Sequence, residues 1–208
     1  MKYKLLANTT ALLLHAAAAF AQAVPAPTAS PAASRPFQTA YLRIGVGATH
    51  DITGYYRSAR LSAEYAPMLT RRLGLAGRLV GVLGKPTGEG LNAQAPNQNY
   101  RAAYVEEEAL FYPLGVGHRV NFGVGAGGFA GYYWLNTFDF LQGTSGQLTD
   151  YKLASRQGVH AGYLFSLNLD VALDADKRWL VGLKSTLQNG IGGQTNFATH
   201  NLTFARRL

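Results

Sequence analysis

The chain of 208 residues is 48% hydrophobic and 12% aromatic, yet only 14% of it is charged, and it holds 24 glycines and no cysteine. Those figures exclude a disordered polyelectrolyte, which needs high charge and few aromatics, and they weigh against a charge-laced coiled coil. The missing thiol removes disulfides, thiolate metal sites and cysteine nucleophiles, and the length prior allows one to two domains.

The chain opens Met1-Lys2-Tyr3-Lys4, then runs apolar from Leu5 to Ala21. Small residues close the run, with Ala19-Phe20-Ala21 and Ala21-Gln22-Ala23 both fitting an A-x-A exit. This order predicts a cleaved secretory signal peptide over 1–23, cut after Ala21 or Ala23. A membrane anchor would need about 20 clean apolar residues. Cleavage would remove Lys2 and Lys4 and no acid, taking the formal charge from +8 to +6. Residues 24–38 hold four of the eight prolines and no periodicity, which predicts a flexible Pro/Ala-rich spacer.

From 39 to 208 the apolar residues recur every second position, the period of a strand with two different faces. Leu42, Ile44, Val46 and Ala48 alternate with Arg43, Gly45, Gly47 and Thr49. Leu61, Ala63 and Tyr65 follow against Arg60, Ser62 and Glu64, and then Leu73, Leu75, Leu79 and Leu83 against Arg78. A fourth strand at about 100–112 is the misfit, because Glu106-Glu107-Glu108 must place at least one glutamate on the apolar face. A β-bulge there would relieve part of the conflict. In the fifth segment Val120, Phe122, Val124, Ala126, Ala130, Tyr132 and Trp134 share a parity against Arg119, Asn121 and a series of glycines. The sixth sets Val159 to Leu173 against His160, Ser166, Asn168 and Asp170; the seventh sets Trp179, Val181 and Leu183 against Gly182 and Lys184. The eighth carries Leu202 and Phe204 against Thr203 and Arg207, while His200 and Arg206 share the apolar parity; Arg206 can snorkel at an edge.

Eight is an even count, as single-chain outer-membrane barrels require. Tight connections at about 70–72, 113–118 and 174–177 alternate with longer ones, of which 85–98 and 135–150 are the longest. Short turns at one end and long loops at the other describe a transmembrane barrel. A lipid-facing basic residue near the midplane costs about 2–4 kcal/mol, so the polar parity is expected to face the lumen. Arg43, Arg60, Glu64, Arg78, Arg119, Asp170 and Lys184 would then form a lumenal charge network. Tyr55, Tyr56, Tyr132, Tyr133 and Trp134 are expected as a girdle at the loop end, with Tyr112 and Trp179 at the turn end. Arg71, Arg72, Arg119, Lys177, Arg178, Arg206 and Arg207 gather at the turn end, where anionic phospholipid would meet them.

On these segments the chain resembles the small eight-stranded outer-membrane barrel proteins, the class of OmpX and the membrane domain of OmpA, and the generic β-barrel domain proteins of Bacteroidetes-type bacteria. The resemblance covers 39–208 and rests on pattern. It implies an all-β, up-and-down antiparallel barrel in the outer membrane of a Gram-negative cell, surrounded by outer-membrane lipids and lipopolysaccharide and inserted by the barrel-assembly machinery. One departure is Leu208, where the family's last strand usually ends in an aromatic residue; Phe204 stands close by.

Chemistry is thin. Lipid A deacylases of this architecture use a His-x-Ser pair, but no histidine here has serine two positions on. His160, Ser166 and Asp170 share a parity, yet six residues along a strand span about 20 Å. The histidines lack metal-ligand spacing. The glycines of 123–128 open no helix and so fail as a nucleotide loop. The expectation is a non-enzymatic barrel without catalytic residue, cofactor, metal or nucleic-acid partner. Its role would be structural or adhesive, through loops 85–98 and 135–150, with Phe138, Phe140 and Leu141 as contact residues. Three alternatives are a lipid-modifying enzyme, a narrow channel, and a secreted soluble barrel that binds an apolar ligand. The last requires the opposite facing, with the apolar parity inward.

Overall fold

The computed structural model describes residues 39–51, 56–87, 90–191 and 196–208. The expected signal peptide at 1–23 and spacer at 24–38 lie outside the described residues, as does Tyr55. Period-two patterning becomes eight strands: β1 (Thr39–Asp51), β2 (Tyr56–Met68), β3 (Leu73–Pro86), β4 (Asn99–Phe111), β5 (Val120–Thr144), β6 (Gln147–Ala172), β7 (Trp179–Gly190) and β8 (Asn196–Arg207). Each pairs antiparallel with its sequence neighbour, and β1 pairs with β8 from Tyr41↔Arg207 to Asp51↔Phe197 to close the barrel. Closure removes the free edges that an open sheet would carry. One five-residue helix, α1 (Gly90–Gln94), lies between β3 and β4.

The two faces separate cleanly. Ile44 is 60% exposed and Leu79 65%, whereas Arg60 is fully buried. Exposed leucine, valine and phenylalanine continue around all eight strands. A water-soluble monomer rarely shows an apolar patch beyond a few hundred Å²; this wall suits hydrocarbon. The facing is the reverse of the one the soluble ligand-binding alternative requires.

Turn chemistry fixes the short end. The Thr70 hydroxyl oxygen accepts from the amides of Arg72 (3.1 Å) and Leu73 (2.9 Å) and tightens the β2–β3 turn. The Asp174 carboxylate accepts from the amides of Trp179 (2.8 Å) and Arg178 (3.1 Å) in the β6–β7 turn. Those amide dipoles hold the Asp174 carboxyl below its ordinary range. Between β4 and β5 the chain reverses through Gly115 (φ 79°) and Gly117 (φ 95°), a left-handed geometry that favours glycine.

Two expectations need correction here. Residues 135–150 are not a loop. β5 and β6 continue as strands of 25 and 26 residues and reverse at Ser145-Gly146, both at positive φ, as in a two-residue type I′ turn. Phe138, Phe140 and Leu141 therefore sit in β5. β5 leaves β4 after Asn136, and β6 does not meet β7 before Gly162. The outer part of this hairpin is thus a two-stranded ribbon standing clear of the wall. In addition, β4 holds no bulge: its register with β5 is unbroken from Asn99↔Asn136 to Phe111↔Val124. Irregularities occur instead in the ribbon, between Phe138 and Phe140 and between Gln142 and Gly143.

Candidate functional site: the charged lumen, the projecting ribbon and the outer face

The lumen is filled in three tiers. At the turn end Tyr41, Met68, Leu110, Tyr112 and Leu180 form an apolar floor. Towards the loop end Val82, Tyr100, Tyr104, Phe129, Leu164 and Phe197 form a second apolar cluster. His160 joins it edge-on, 4.9 Å from the Phe129 ring and 5.8 Å from that of Tyr104.

Between them lies the ionic tier. Strict alternation turns Glu106 and Glu108 inward and Glu107 outward. Register then sets Arg43 opposite Glu64, Glu64 opposite Arg78, and Arg78 opposite Glu106, so charge alternates in sign across β1 to β4. Arg43 pairs with Glu64 and, across the lumen, with Asp170 at 2.7 Å. Arg60 pairs with Glu106 at 2.5 Å. Arg78 reaches Glu64 (2.7 Å), Glu106 and Glu108 (2.8 Å). Lys184 reaches Glu108 (2.5 Å) and Glu64 (3.3 Å). The Gln188 amide donates to Glu106 at 2.6 Å, and Ser166 bonds Glu108. All eight ionic side chains are buried.

Six of the seven residues expected in the network lie in this tier. Arg119 does not: it is exposed and precedes β5, in the connection where the chain is still turning. Parity has no meaning before the strand starts. Glu106 and Glu108 were missed although their parity pointed inward, because three consecutive glutamates gave no clue to which one yields. Tyr112 is a second correction, since it lines the floor instead of a girdle, and Tyr56 and Tyr133 pack partly buried against the upper cluster. At the turn end Trp179 stacks on Phe204 (5.2 Å, 20°), with the Arg206 guanidinium 5.3 Å from the Trp179 ring centre.

The ribbon is braced from the β3–β4 connection. The Gln94 side-chain amide donates to the Gly146 carbonyl (2.9 Å) and accepts from the Leu148 amide (2.8 Å), mimicking a strand pairing. Segments 85–98 and 135–150 therefore form one outer structure. Phe140, at 47% exposure, is its most open large apolar side chain.

The outer face holds polar exceptions. Glu107 lies between Gly77 and Gly128 in the register. His200 is directly opposite Ser185, and the Ser185 hydroxyl shares a 3.0 Å hydrogen bond with His200 Nδ1. A search for His-x-Ser on one strand could not find this cross-strand pair. Across the strands Ala48 lies opposite His200 and Leu167 opposite Ser185, so among the described residues no carboxylate lies directly opposite either member of the pair. The pair satisfies two polar groups on a lipid-facing wall. His160, Ser166 and Asp170 enter three different sets of contacts and make no triad: aromatic rings, Glu108 and Arg43 respectively. Among the described residues no group of three or more His, Asp or Glu is placed to hold a metal ion.

No protein-family model and no curated protein sequence matches the chain. Solved structures do. The outer membrane protein OprG of Pseudomonas aeruginosa superposes with a TM-score of 0.54 at 11% identity, over 83% of this chain and 97% of that one. Ail, the attachment invasion locus protein of Yersinia pestis, gives 0.50 at 10% identity, over 82% and 97%. Ail in complex with the heparin analogue sucrose octasulfate gives 0.50 at 11%, over 82% and 99%. With the closed eight-stranded sheet and its outward apolar wall, these likenesses establish the fold as that of the small outer-membrane β-barrels.

Proposed function

We propose that this chain is an outer-membrane protein, exported by a signal peptide at 1–23 and inserted by the barrel-assembly machinery, whose task is recognition at the cell surface. Residues 24–38 serve as a spacer. The loop end faces outward, the turn end faces the periplasm, and lipopolysaccharide surrounds the outer half of the wall. The ionic tier is structural: its carboxylates and cations occupy one another, and two apolar tiers close the lumen on either side, which opposes a conducting role.

The observation that carries the recognition reading is the β5–β6 ribbon. A membrane-crossing strand needs about 9–11 residues, while β5 and β6 have 25 and 26. The excess is held in shape by α1 and presents Phe138, Phe140 and Leu141. Beyond Gly162 the ribbon part of β6 has no partner strand on its β7 side among the described residues, and such an edge is a ready template for an incoming strand. Loops on a rigid scaffold are the usual place for recognition. The similarly folded Ail is named for attachment and invasion.

The absence of cysteine makes the test clean. Ser145→Cys and Thr70→Cys, expressed separately in the full chain, are treated with a membrane-impermeant maleimide on intact cells. Labelling of Ser145→Cys alone, with a heat-dependent gel shift in the outer-membrane fraction, supports the reading. Phe140→Ala combined with Leu141→Ala should then reduce attachment of the expressing cells to surfaces or to other cells. Unchanged attachment by a correctly labelled, folded variant would overturn the recognition role.

A further inference from the structure

We propose that the outer face of β2 to β5 near the loop end carries a built seat for one lipopolysaccharide molecule, with phosphate held by Arg57, Lys85 and Arg101 and an acyl chain laid in the groove below. This rests on the outward orientation of the loop end proposed above.

The register brings the cations together. His50 is directly opposite Arg57, and Arg57 is directly opposite Lys85. Arg101 is opposite Leu83, two residues along β3 from Lys85 and on the same face. Directly opposed side chains start about 5 Å apart and diagonal ones about 7–8 Å, and like charges in that position repel. All three basic residues are exposed. Among the described residues they have no carboxylate within salt-bridge distance: Glu107 lies three outward positions below Arg101, and Asp139, further along β5, pairs with Lys152 at 3.4 Å. An anion bound among them would relieve that repulsion, and a phosphate accepts from several guanidinium and ammonium groups at once.

Directly beneath, the wall is hollowed. A groove of about 720 Å³ is lined by Ala59, Leu61, Gly81 and Leu83 in its lower part, and by Asn99, Arg101 and Trp134 at its upper margin. It shares Leu61 and Gly81 with a second, more apolar groove of about 850 Å³ that continues past Ala103 and Val105 towards mid-wall. A methyl group added at Gly81 would meet no other atom within 4 Å. The floor is therefore open, and the polarity runs in the order of an amphiphile: cations above, hydrocarbon below. Bilayer phospholipid offers a single phosphate, whereas the outer-leaflet glycolipid carries more than one on its sugar headgroup. Three clustered cations match the more highly charged headgroup, and that charge match is the reason for committing to lipopolysaccharide.

The test uses the folded full chain in neutral detergent micelles, with bisphosphorylated, acylated lipid A as the probe and native mass spectrometry or fluorescence quenching of Trp134 as readout. Binding in micelles is independent of orientation, so its failure is separate from a failure of the surface-labelling experiment. One basic residue beside an anionic lipid surface is worth roughly fivefold in affinity, so Arg57→Gln, Lys85→Gln and Arg101→Gln together should weaken lipid A binding roughly 100-fold. Arg71→Gln with Arg72→Gln at the turn end should leave it unchanged. Gly81→Leu fills the groove without touching the cations, and should weaken lipid A binding while the gel shift shows a folded barrel. Three results would each overturn the assignment: a triple variant that binds like the parent, equal loss from the turn-end variant, or phosphatidylglycerol and dephosphorylated lipid A binding as tightly as the bisphosphorylated form.

Discussion

Arg78→Met tests the ionic tier most severely. Arg78 is buried, and its guanidinium contacts three carboxylates, those of Glu64, Glu106 and Glu108. Removing one partner of a buried ion pair costs about 3–5 kcal/mol, because the remaining charge is left without its counter-charge. Here each carboxylate keeps another cation: Glu64 keeps Arg43 and Lys184, Glu106 keeps Arg60, and Glu108 keeps Lys184. The loss should therefore lie at the lower end, at about 3 kcal/mol. What cannot be redistributed is the excess negative charge. Adding Glu106→Gln restores neutrality, and the neutral amide keeps an oxygen that accepts from Arg60 and Gln188. The double variant should recover about 1–2 kcal/mol, a coupling of the size expected for residues in one network. Urea unfolding in lipid vesicles, followed by tryptophan fluorescence with the gel shift as a check, measures both. An Arg78→Met loss below about 0.5 kcal/mol would place these charges in a water-screened interior, where ion pairs are worth little. Strict additivity of the two substitutions would refute the shared network.

Other outcomes follow from the outer face and the turns. Glu107→Leu should stabilise the inserted barrel, by less than the about 2–4 kcal/mol known for basic residues at the midplane; a loss in the same vesicle titration would mean that Glu107 has a partner. Ser185→Ala should cost about 1–2 kcal/mol by leaving His200 without its hydrogen bond, and unchanged stability would show the pair to be incidental. At the β6–β7 turn, the Asp174 carboxyl titrates lower in the folded protein than its ordinary 3.8. Its stabilisation is therefore fully present above that value and is lost as pH falls through the lower native one. Asp174→Ala should be less stable at neutral pH and lose that part of the acid dependence; an unchanged pH profile would contradict the turn assignment.

Facing and strand number were legible because lipid and lumen impose opposite preferences on alternate residues, as Leu42-Arg43-Ile44 and Leu79 beside Arg78 illustrate. Legibility failed wherever that contrast vanished. In the ribbon both faces meet water, so Thr137, Asp139, Gln142 and Thr144 carry no parity and resemble a loop. At Arg119 and Tyr112 the chain turns through Gly115 and Gly117, and direction cannot be extrapolated from the neighbouring strand. The Ser185–His200 pair and the basic trio depend on which residue lies opposite which, a property of register that no single strand contains. Glu106 and Glu108 fell between the two cases: their parity was correct, but the arginines that welcome them come from β2 and β3.

The ionic tier also bears on how such a barrel could be assembled. Arg43, Arg60 and Arg78 face Glu64, Glu106 and Glu108 within β1 to β4, while Lys184 and Asp170 belong to β6 and β7. Each part carries as many cations as carboxylates. A half-built sheet of the first four strands thus brings no net lumenal charge into the bilayer, and neither does the half that joins it. Because side chains alternate between the two faces along each strand, a slip of one residue between neighbours would throw a charge into hydrocarbon. The same residues that fill the finished lumen therefore penalise a misaligned hairpin while the wall is still open.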